Sequence, residues 1–256
     1  MIEIVTIPAF KDNYIWLIRD KKNAIVVDPG DAKPVIAYLQ THNLNLIAIL
    51  ITHRHNDHIG GIPELREVYN TRVYGPRSEL IPLITHHLGE GDHLDIEELS
   101  LHFEIISVPG HVPEHIAYIG NGMLFCGDVL FGCCCGKMFI GTPEQFYHSL
   151  QRLTVLPPET KVYCAHEYTE FGIQFALQCE PNNPQLQQRQ LDTRALRSQN
   201  QATIPSTIGL EKATNPFLRC TEPEIIASVI SRLSLTTPPK NEVVVFSALQ
   251  ILLDNS

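Results

Sequence analysis

Residues 46–58 run LIAILITHRHNDH: six apolar residues and a threonine, then three histidines and an aspartate within six positions. A short continuous apolar run bounded by polar residues is the pattern of a buried strand. The strand ends abruptly at Thr52, and His53, His55, Asp57 and His58 fall on the connection after it. Helical signals begin near His58, so the cluster is expected on a strand-to-helix loop at a sheet edge, where a rigid scaffold presents functional groups. In an extended segment His53, His55 and Asp57 alternate onto one side, with His58 turned by the helix start.

The rest of the first half repeats the strand texture. Runs such as IEIVTI, NYIWLI, NAIVVD, RVYG, LHFEIISVPG, IAYIG and GMLFCGD are separated by glycine, proline, aspartate and asparagine, which is strand and turn chemistry. Helices are expected over 32–42, 58–69 and 143–155. Mixed sheets with covering helices follow. Beyond residue 169 the texture changes: FGIQFALQCE, PQLQQRQLDTRALRSQNQ and PEIIASVISRLSL have helical character, and β-runs almost vanish. The intervening ATIPSTIGLEKATNPFLR is rich in proline and threonine and is expected to be irregular. TEPEII then offers Thr221 as a helix cap with Glu224 three positions on, a capping-box pattern.

A chain of 256 residues with 44% hydrophobic content can bury one large domain, or one domain with an appendage. Its formal net charge of −9 argues against unaided binding to nucleic acid or an anionic membrane, and so favours a small-molecule partner. The N-terminal stretch lacks the pattern of an export signal, and no apolar run reaches the length of a membrane span. The seven cysteines include Cys133-Cys134-Cys135 but no C-x-x-C pair. They read as small buried hydrophobes in a reducing compartment, the cytoplasm.

Four ligand types crowded together exceed what one ion with an open position takes up, and can be divided between two ions. Three later apolar runs stop at a single ligand type: His111 in SVPGHVPEH, Asp128 in MLFCGDVLF and His166 in KVYCAHEYT. Each alone would more often be an ordinary loop residue, and the combination carries the inference. Seven candidate ligands make a two-metal site possible, with a shared carboxylate as the natural bridge. Imidazole nitrogen and carboxylate oxygen suit zinc, iron or manganese. His115 is a candidate for orienting a ligand by hydrogen bonding. His42, His86, His87, His93, His102 and His148 lack such context and read as solvated or structural.

THRHNDH resembles the T-H-x-H-x-D-H signature of the metallo-β-lactamase fold superfamily, and His111, Asp128 and His166 match its later ligand positions. Within the superfamily the chain resembles the glyoxalase II, or hydroxyacylglutathione hydrolase, family. The stretches PAFKDNYIWLI, VVDPGDA, CGKMFIGTPEQFYHSL, CAHEYT and TIPSTIGLEKATNPFLR carry that likeness over nearly the full length. The resemblance implies an α+β fold: an αββα sandwich as catalytic domain over 1–168 and a smaller helical substrate-binding domain over 169–256. It assigns His53, His55 and His111 to one divalent ion and Asp57, His58 and His166 to the other, with Asp128 bridging. Zinc is the first expectation, with iron or manganese as alternatives. A hydroxide held at the metals beside Asp57 and Asp128 would be the nucleophile, making Asp57 a ligand and not a free base. Thr52 and Asp28 would support these ligands, though a turn before Pro29-Gly30 accounts for Asp28 almost as well.

The implied reaction is hydrolysis of S-D-lactoylglutathione to D-lactate and glutathione, the second step of methylglyoxal detoxification. Lys137, Phe139, His166 and Tyr168 fall at substrate positions. Phe139 stands where some relatives have tyrosine, so one hydroxyl contact is missing. Relatives also often carry an Arg and a Lys three residues apart near the last helix, where this chain has Gln250 and Leu253; Lys240 or Arg219 would be the substitutes. A monomer is expected. Two rival readings are a persulfide dioxygenase of the same superfamily, against which the helical C-terminal region argues, and a metal-dependent binding module. Structural metal sites are usually closed and mononuclear, so seven ligands favour catalysis.

Overall fold

Central strands that are apolar on both faces need cover on both faces, and the chain provides it. The computed structural model describes residues 2–255. In chain order it begins β1 (Glu3–Ala9), β2 (Asn13–Arg19), β3 (Asn23–Val27), α1 (Ala32–Thr41), β4 (Asn45–Leu50), α2 (Asn56–Ile59), α3 (Ile62–Tyr69) and β5 (Arg72–Pro76). It continues β6 (His86–Leu88), β7 (His93–Ile96), β8 (Leu101–Ser107), β9 (Ile116–Gly120) and β10 (Met123–Gly127). These elements, with the chain up to Val108 and Glu114–Gly127, make one compact unit.

Its first sheet has the order β1-β2-β3-β4-β5-β6. The β1–β2 and β2–β3 pairs are antiparallel, and β3–β4, β4–β5 and β5–β6 are parallel. Strand β2 is buried along both faces. Ile15 and Leu17 pack with Val35 and Leu39 of α1 and with Ile62 and Leu65 of α3. Alternation sends Trp16 and Ile18 to the opposite face, where both are buried. The second sheet of this unit runs β10-β9-β8-β7. Phe103 packs edge-on against Tyr118 and Phe125, and the Tyr118 hydroxyl donates to the Ile51 carbonyl at 2.9 Å. Each of these fully buried large side chains contributes about 1.5–3 kcal/mol of burial free energy.

The helix expected over 58–69 is two helices. Pro63 has no N–H to give the Ile59 carbonyl, so it starts a new helix, α3, instead of continuing α2. The glycines between them let the 29–30 backbone pass close by. A Cβ on Gly60 would lie 2.7 Å from the Gly30 carbonyl oxygen, and one on Gly61 would lie 2.5 Å from that of Pro29.

The second compact unit comprises Pro109–Pro113 and the chain from Asp128 onward. It contains β11 (Leu130–Phe131), β12 (Cys134–Cys135), α4 (Pro143–Thr154), β13 (Lys161–Cys164), α5 (Thr169–Cys179) and α6 (Pro184–Ser198). Then come β14 (Ser206–Thr207), α7 (Ile208–Thr214), α8 (Pro223–Arg232) and α9 (Glu242–Asp254). The stretch expected to be irregular, 202–219, is more ordered than its composition implies: it holds β14, α7 and a 3-10 turn at Pro216–Leu218. The side chain of Thr207 caps α7 by accepting from Leu210 N. The expected capping box at Thr221 does not form. The cap residue of α8 is Glu222, Pro223 takes the first turn, and Glu224 instead accepts from Asn182 Nδ2 at 2.7 Å. A capping box forms at Thr142 and Gln145, ahead of α4. Beneath α6 and α7 lies a buried network, in which Arg189 donates to Glu211 and Thr214 at 2.6 Å, and Glu211 accepts from Cys133 N at 3.0 Å.

Candidate metal centre

Strand β3 ends one residue before Asp28, whose backbone takes the left-handed conformation at φ 51°. Parallel pairing sets Val27 opposite Leu50, and the Asp28 N–H bonds to the Leu50 carbonyl. The Asp28 carboxylate is thereby aimed at the first residues after β4. It accepts from Thr52 N at 2.8 Å and from the Thr52 hydroxyl at 2.7 Å, and lies 3.1 Å from His58 Nδ1. Because the Thr52 hydroxyl spends its one proton on Asp28, its oxygen accepts from His53 Nδ1, 3.1 Å away. Both buried rings, His53 and His58, carry their proton on Nδ1 and keep a basic Nε2. The tie to His58 and Thr52 gives Asp28 a supporting role beyond its turn.

The same unit orients the other residues of the loop. Asn13 Nδ2 donates to Asp57 Oδ2 at 3.0 Å, and His58 Nε2 lies 3.4 Å from that oxygen. His53 Nε2 and His55 Nδ1 approach to 3.0 Å. The His115 ring lies parallel to His53, with centroids 4.6 Å apart, and its Nδ1 meets the Ile116 carbonyl at 3.0 Å. Gly127, at φ 49°, closes β10 beneath this stack; a Cβ there would come within 2.3 Å of Thr52 Oγ1. Burial and the Asp28 charge push the Tyr118 phenol well above its usual range, so it stays a hydrogen-bond donor.

In the second unit the Asp128 carboxylate addresses two imidazoles with different oxygens: Oδ2 lies 3.5 Å from His111 Nε2, and Oδ1 lies 3.4 Å from His166 Nε2. His111 Nδ1 donates to the Lys137 carbonyl at 2.7 Å, which again leaves Nε2 basic. His166 stacks on Tyr168, with centroids 4.8 Å apart and planes 8° from parallel, and Phe131 meets both rings edge-on. Phe139, 57% exposed, is anchored by its N–H to the His111 carbonyl and lies edge-on to the His111 ring.

These spacings fit a cation better than direct hydrogen bonds. Nitrogen–oxygen hydrogen bonds fall at about 2.7–3.2 Å, whereas two ligands about 2.0–2.2 Å from one tetrahedral ion lie about 3.3–3.6 Å apart. The three imidazole–carboxylate separations, 3.4, 3.5 and 3.4 Å, fall in the second range. The donor set is nitrogen and oxygen throughout, suited to a divalent metal.

Sulfur takes no part among the described residues. All seven cysteines are free and buried, and burial pushes the Cys133 thiol up to about 12. The expected vacancy at Gln250 is filled differently: Gln250 is buried and donates to the Gly136 carbonyl at 3.2 Å. Arg219, one of the two proposed substitutes, is held by Glu180 at 2.7 Å. Asn13 carries no signal of this contact in the sequence, because an asparagine opening a strand looks like a turn residue. Among the described residues, His42, His86, His87, His93, His102 and His148 belong to no group of three or more ligand-type side chains close enough to share an ion; His102, for example, pairs on the surface with Asp95. Among the described residues, no helix is long and apolar enough to cross a membrane.

Residues 10–166 match the family model of the metallo-beta-lactamase superfamily, and residues 167–256 match that of the hydroxyacylglutathione hydrolase C-terminus. A hydroxyacylglutathione hydrolase of Nitrosomonas europaea is 50% identical over 252 residues, covering 98% of this chain and 95% of its own. One from Vibrio campbellii is 51% identical over 240 residues, covering 93% and 94%. Among solved structures, TTHA1623 in a di-iron-bound form is 27% identical with a TM-score of 0.60, covering 84% of this chain and 100% of its own. ETHE1 from Myxococcus xanthus, 24% identical with a TM-score of 0.65 and covering 99% and 98%, shares the fold. The chain therefore has the α+β metallo-β-lactamase fold with a helical C-terminal region, and it belongs to the hydroxyacylglutathione hydrolase family of that superfamily.

Proposed function

We propose that this protein hydrolyses thioesters of glutathione, S-D-lactoylglutathione first among them, releasing D-lactate and glutathione in the second step of methylglyoxal detoxification. Family membership supports the substrate class. The observation that carries the chemistry is the Asp128 carboxylate, which turns one oxygen towards His111 and the other towards His166 at ligand-like distances. These distances support Asp128 as the bridge between two ions. His53, His55 and His111 would hold one, and Asp57, His58 and His166 the other. We take residues 1–168 as the catalytic domain and 169–256 as the substrate-binding domain.

Two bound divalent cations, zinc by preference and iron or manganese as alternatives, would supply Lewis acidity for the carbonyl and an acidified water. The chain's own residues do the positioning. Asp28, through Thr52 and directly, fixes the proton of His53 and His58 on Nδ1. The Lys137 carbonyl does the same for His111. Asn13 turns Asp57. Lys137 and Tyr168 would hold the polar arms of glutathione, with Phe139 and the ring of His166 lining the substrate. A thiolate needs less proton donation than an amine to leave, so orientation of the ester is the larger part of the task.

The protein would act as a cytoplasmic monomer on a small molecule, without nucleic acid or membrane partners. The test follows thioester absorbance with S-D-lactoylglutathione alongside metal analysis of the same sample. Hydrolysis is expected to require metal, and Asp128→Ala is expected to hold fewer than two ions. Oxygen uptake with glutathione persulfide and no thioester hydrolysis would overturn the reading, as would near-normal turnover with two tightly bound ions in Asp128→Ala.

A further inference from the structure

Between His53 and His55 stands Arg54, a cation that cannot itself ligate a metal ion. Its Nη1 lies 2.7 Å from Oε2 of Glu114, with side-chain exposures of 21% and 11%. That length is typical of a strong charge-assisted hydrogen bond. Glu114 directly precedes His115, whose ring stacks on His53 at 4.6 Å. One residue further, Ile116 N donates to the Thr52 carbonyl at 3.0 Å. The segments 52–54 and 114–116 of the first unit are thus tied three times: by a backbone hydrogen bond, a ring stack and an ion pair. The first two hold Thr52 and His53. The third carries the tie past His53 to the side on which His55 leaves the strand end.

We infer that Arg54 and Glu114 are a positioning pair, which fixes the turn between His53 and His55 in the conformation that binds metal. This rests on the reading of these histidines as metal ligands. A half-buried ion pair is suited to the task because its two charges cancel. Arg54 alone would be an unpaired cation between ligands of a cation site, and Glu114 alone an added anion there. That opposition separates positioning from a simple field effect. If the residues acted only through their charge, Arg54→Gln would tighten metal binding and Glu114→Gln would weaken it. If they position the turn, both changes weaken it.

The experiment measures metal content of the purified holoprotein and the rate of metal transfer to a chromophoric chelator, for wild type, Arg54→Gln, Glu114→Gln and the charge-reversed double variant Arg54→Glu/Glu114→Arg. Both single variants are expected to lose metal about tenfold faster, the lower end of what second-layer changes cost, and the reversed pair to recover most of that loss. If a glutamine variant fails to fold, Arg54→Lys decides, because it keeps the charge and loses the planar donor geometry; metal loss faster than wild type supports positioning. Unchanged rates, opposite shifts in the two single variants, or no recovery in the reversed pair would overturn the inference. A wild-type protein that binds no metal would overturn the metal reading itself and is distinguishable from all of these.

Discussion

Lys137 Nζ lies 3.6 Å from Asp254 Oδ1, which pairs this lysine of the second unit with the last residue of α9. Both side chains are largely exposed, at 59% and 45%, and an exposed pair of this kind is worth about 0–1 kcal/mol. With Lys137 in the proposed substrate-binding role, Asp254 competes with a substrate carboxylate for the same ammonium group. Asp254→Asn is expected to lower KM for S-D-lactoylglutathione by up to about fivefold with little change in kcat, and the gain should shrink at high salt. Lys137→Ala is expected to raise KM about tenfold or more, the equivalent of one charge-assisted hydrogen bond of about 1.5–3 kcal/mol. Steady-state kinetics at two ionic strengths checks both, and a kcat effect without a KM effect would remove Lys137 from substrate binding.

Gln250 holds the loop from beneath, donating to the Gly136 carbonyl at 3.2 Å and lying 2.9 Å from Cys135 Sγ. Gln250→Ala leaves that buried carbonyl unsatisfied and is expected to cost about 1–3 kcal/mol of stability. Gln250→Arg/Leu253→Lys, which copies the cation spacing of relatives, is expected to destabilise the protein as well, because the guanidinium would enter a buried place. Thermal unfolding measures the loss; an Arg variant as stable as wild type, with lowered KM, would mean that the helix can turn this position outward.

Asp28 unites Thr52 and His58. Asp28→Asn keeps a residue type tolerant of the left-handed conformation at φ 51°, but replaces one acceptor oxygen by a donor among groups that already donate. Metal affinity is expected to fall about 10–100-fold, with the fold retained. Competition with a chelator measures it, and wild-type affinity would show that Asp28 serves the turn alone.

The buried thiols set an alkaline limit. Burial pushes Cys133 and Cys220 up to about 12 from an ordinary 9.0. Unfolding releases them to ionise at the lower value, so above pH 9 the unfolded chain binds fewer protons than the native one, and stability falls as pH rises. The loss should run from about pH 9 to about 12, at about 1.4 kcal/mol per pH unit per thiol in that window. Denaturant unfolding across that range should show the decline, lessened in Cys133→Ala. Native protein at pH 8 should resist alkylation; rapid labelling of Cys133 would contradict its burial.

The strands, most of the helices and the positions of the candidate ligands are legible in the sequence. An apolar run that stops at THRHNDH, and others that stop at His111, Asp128 and His166, are local signals: burial period and its interruption are written in adjacent residues. Local signals also misplaced two boundaries. Pro63 splits one expected helix, and Pro223 moves a cap from Thr221 to Glu222. The contacts that orient the candidate ligands come from the tertiary fold. Asp28 reaches Thr52 because β3 and β4 are parallel neighbours with Val27 opposite Leu50. Asn13 meets Asp57 across 44 positions, Arg54 meets Glu114 across 60, and Gln250 meets Gly136 across 114. Hydrogen bonds between such distant residues depend on strand order and backbone angle, which no residue pattern near either partner encodes.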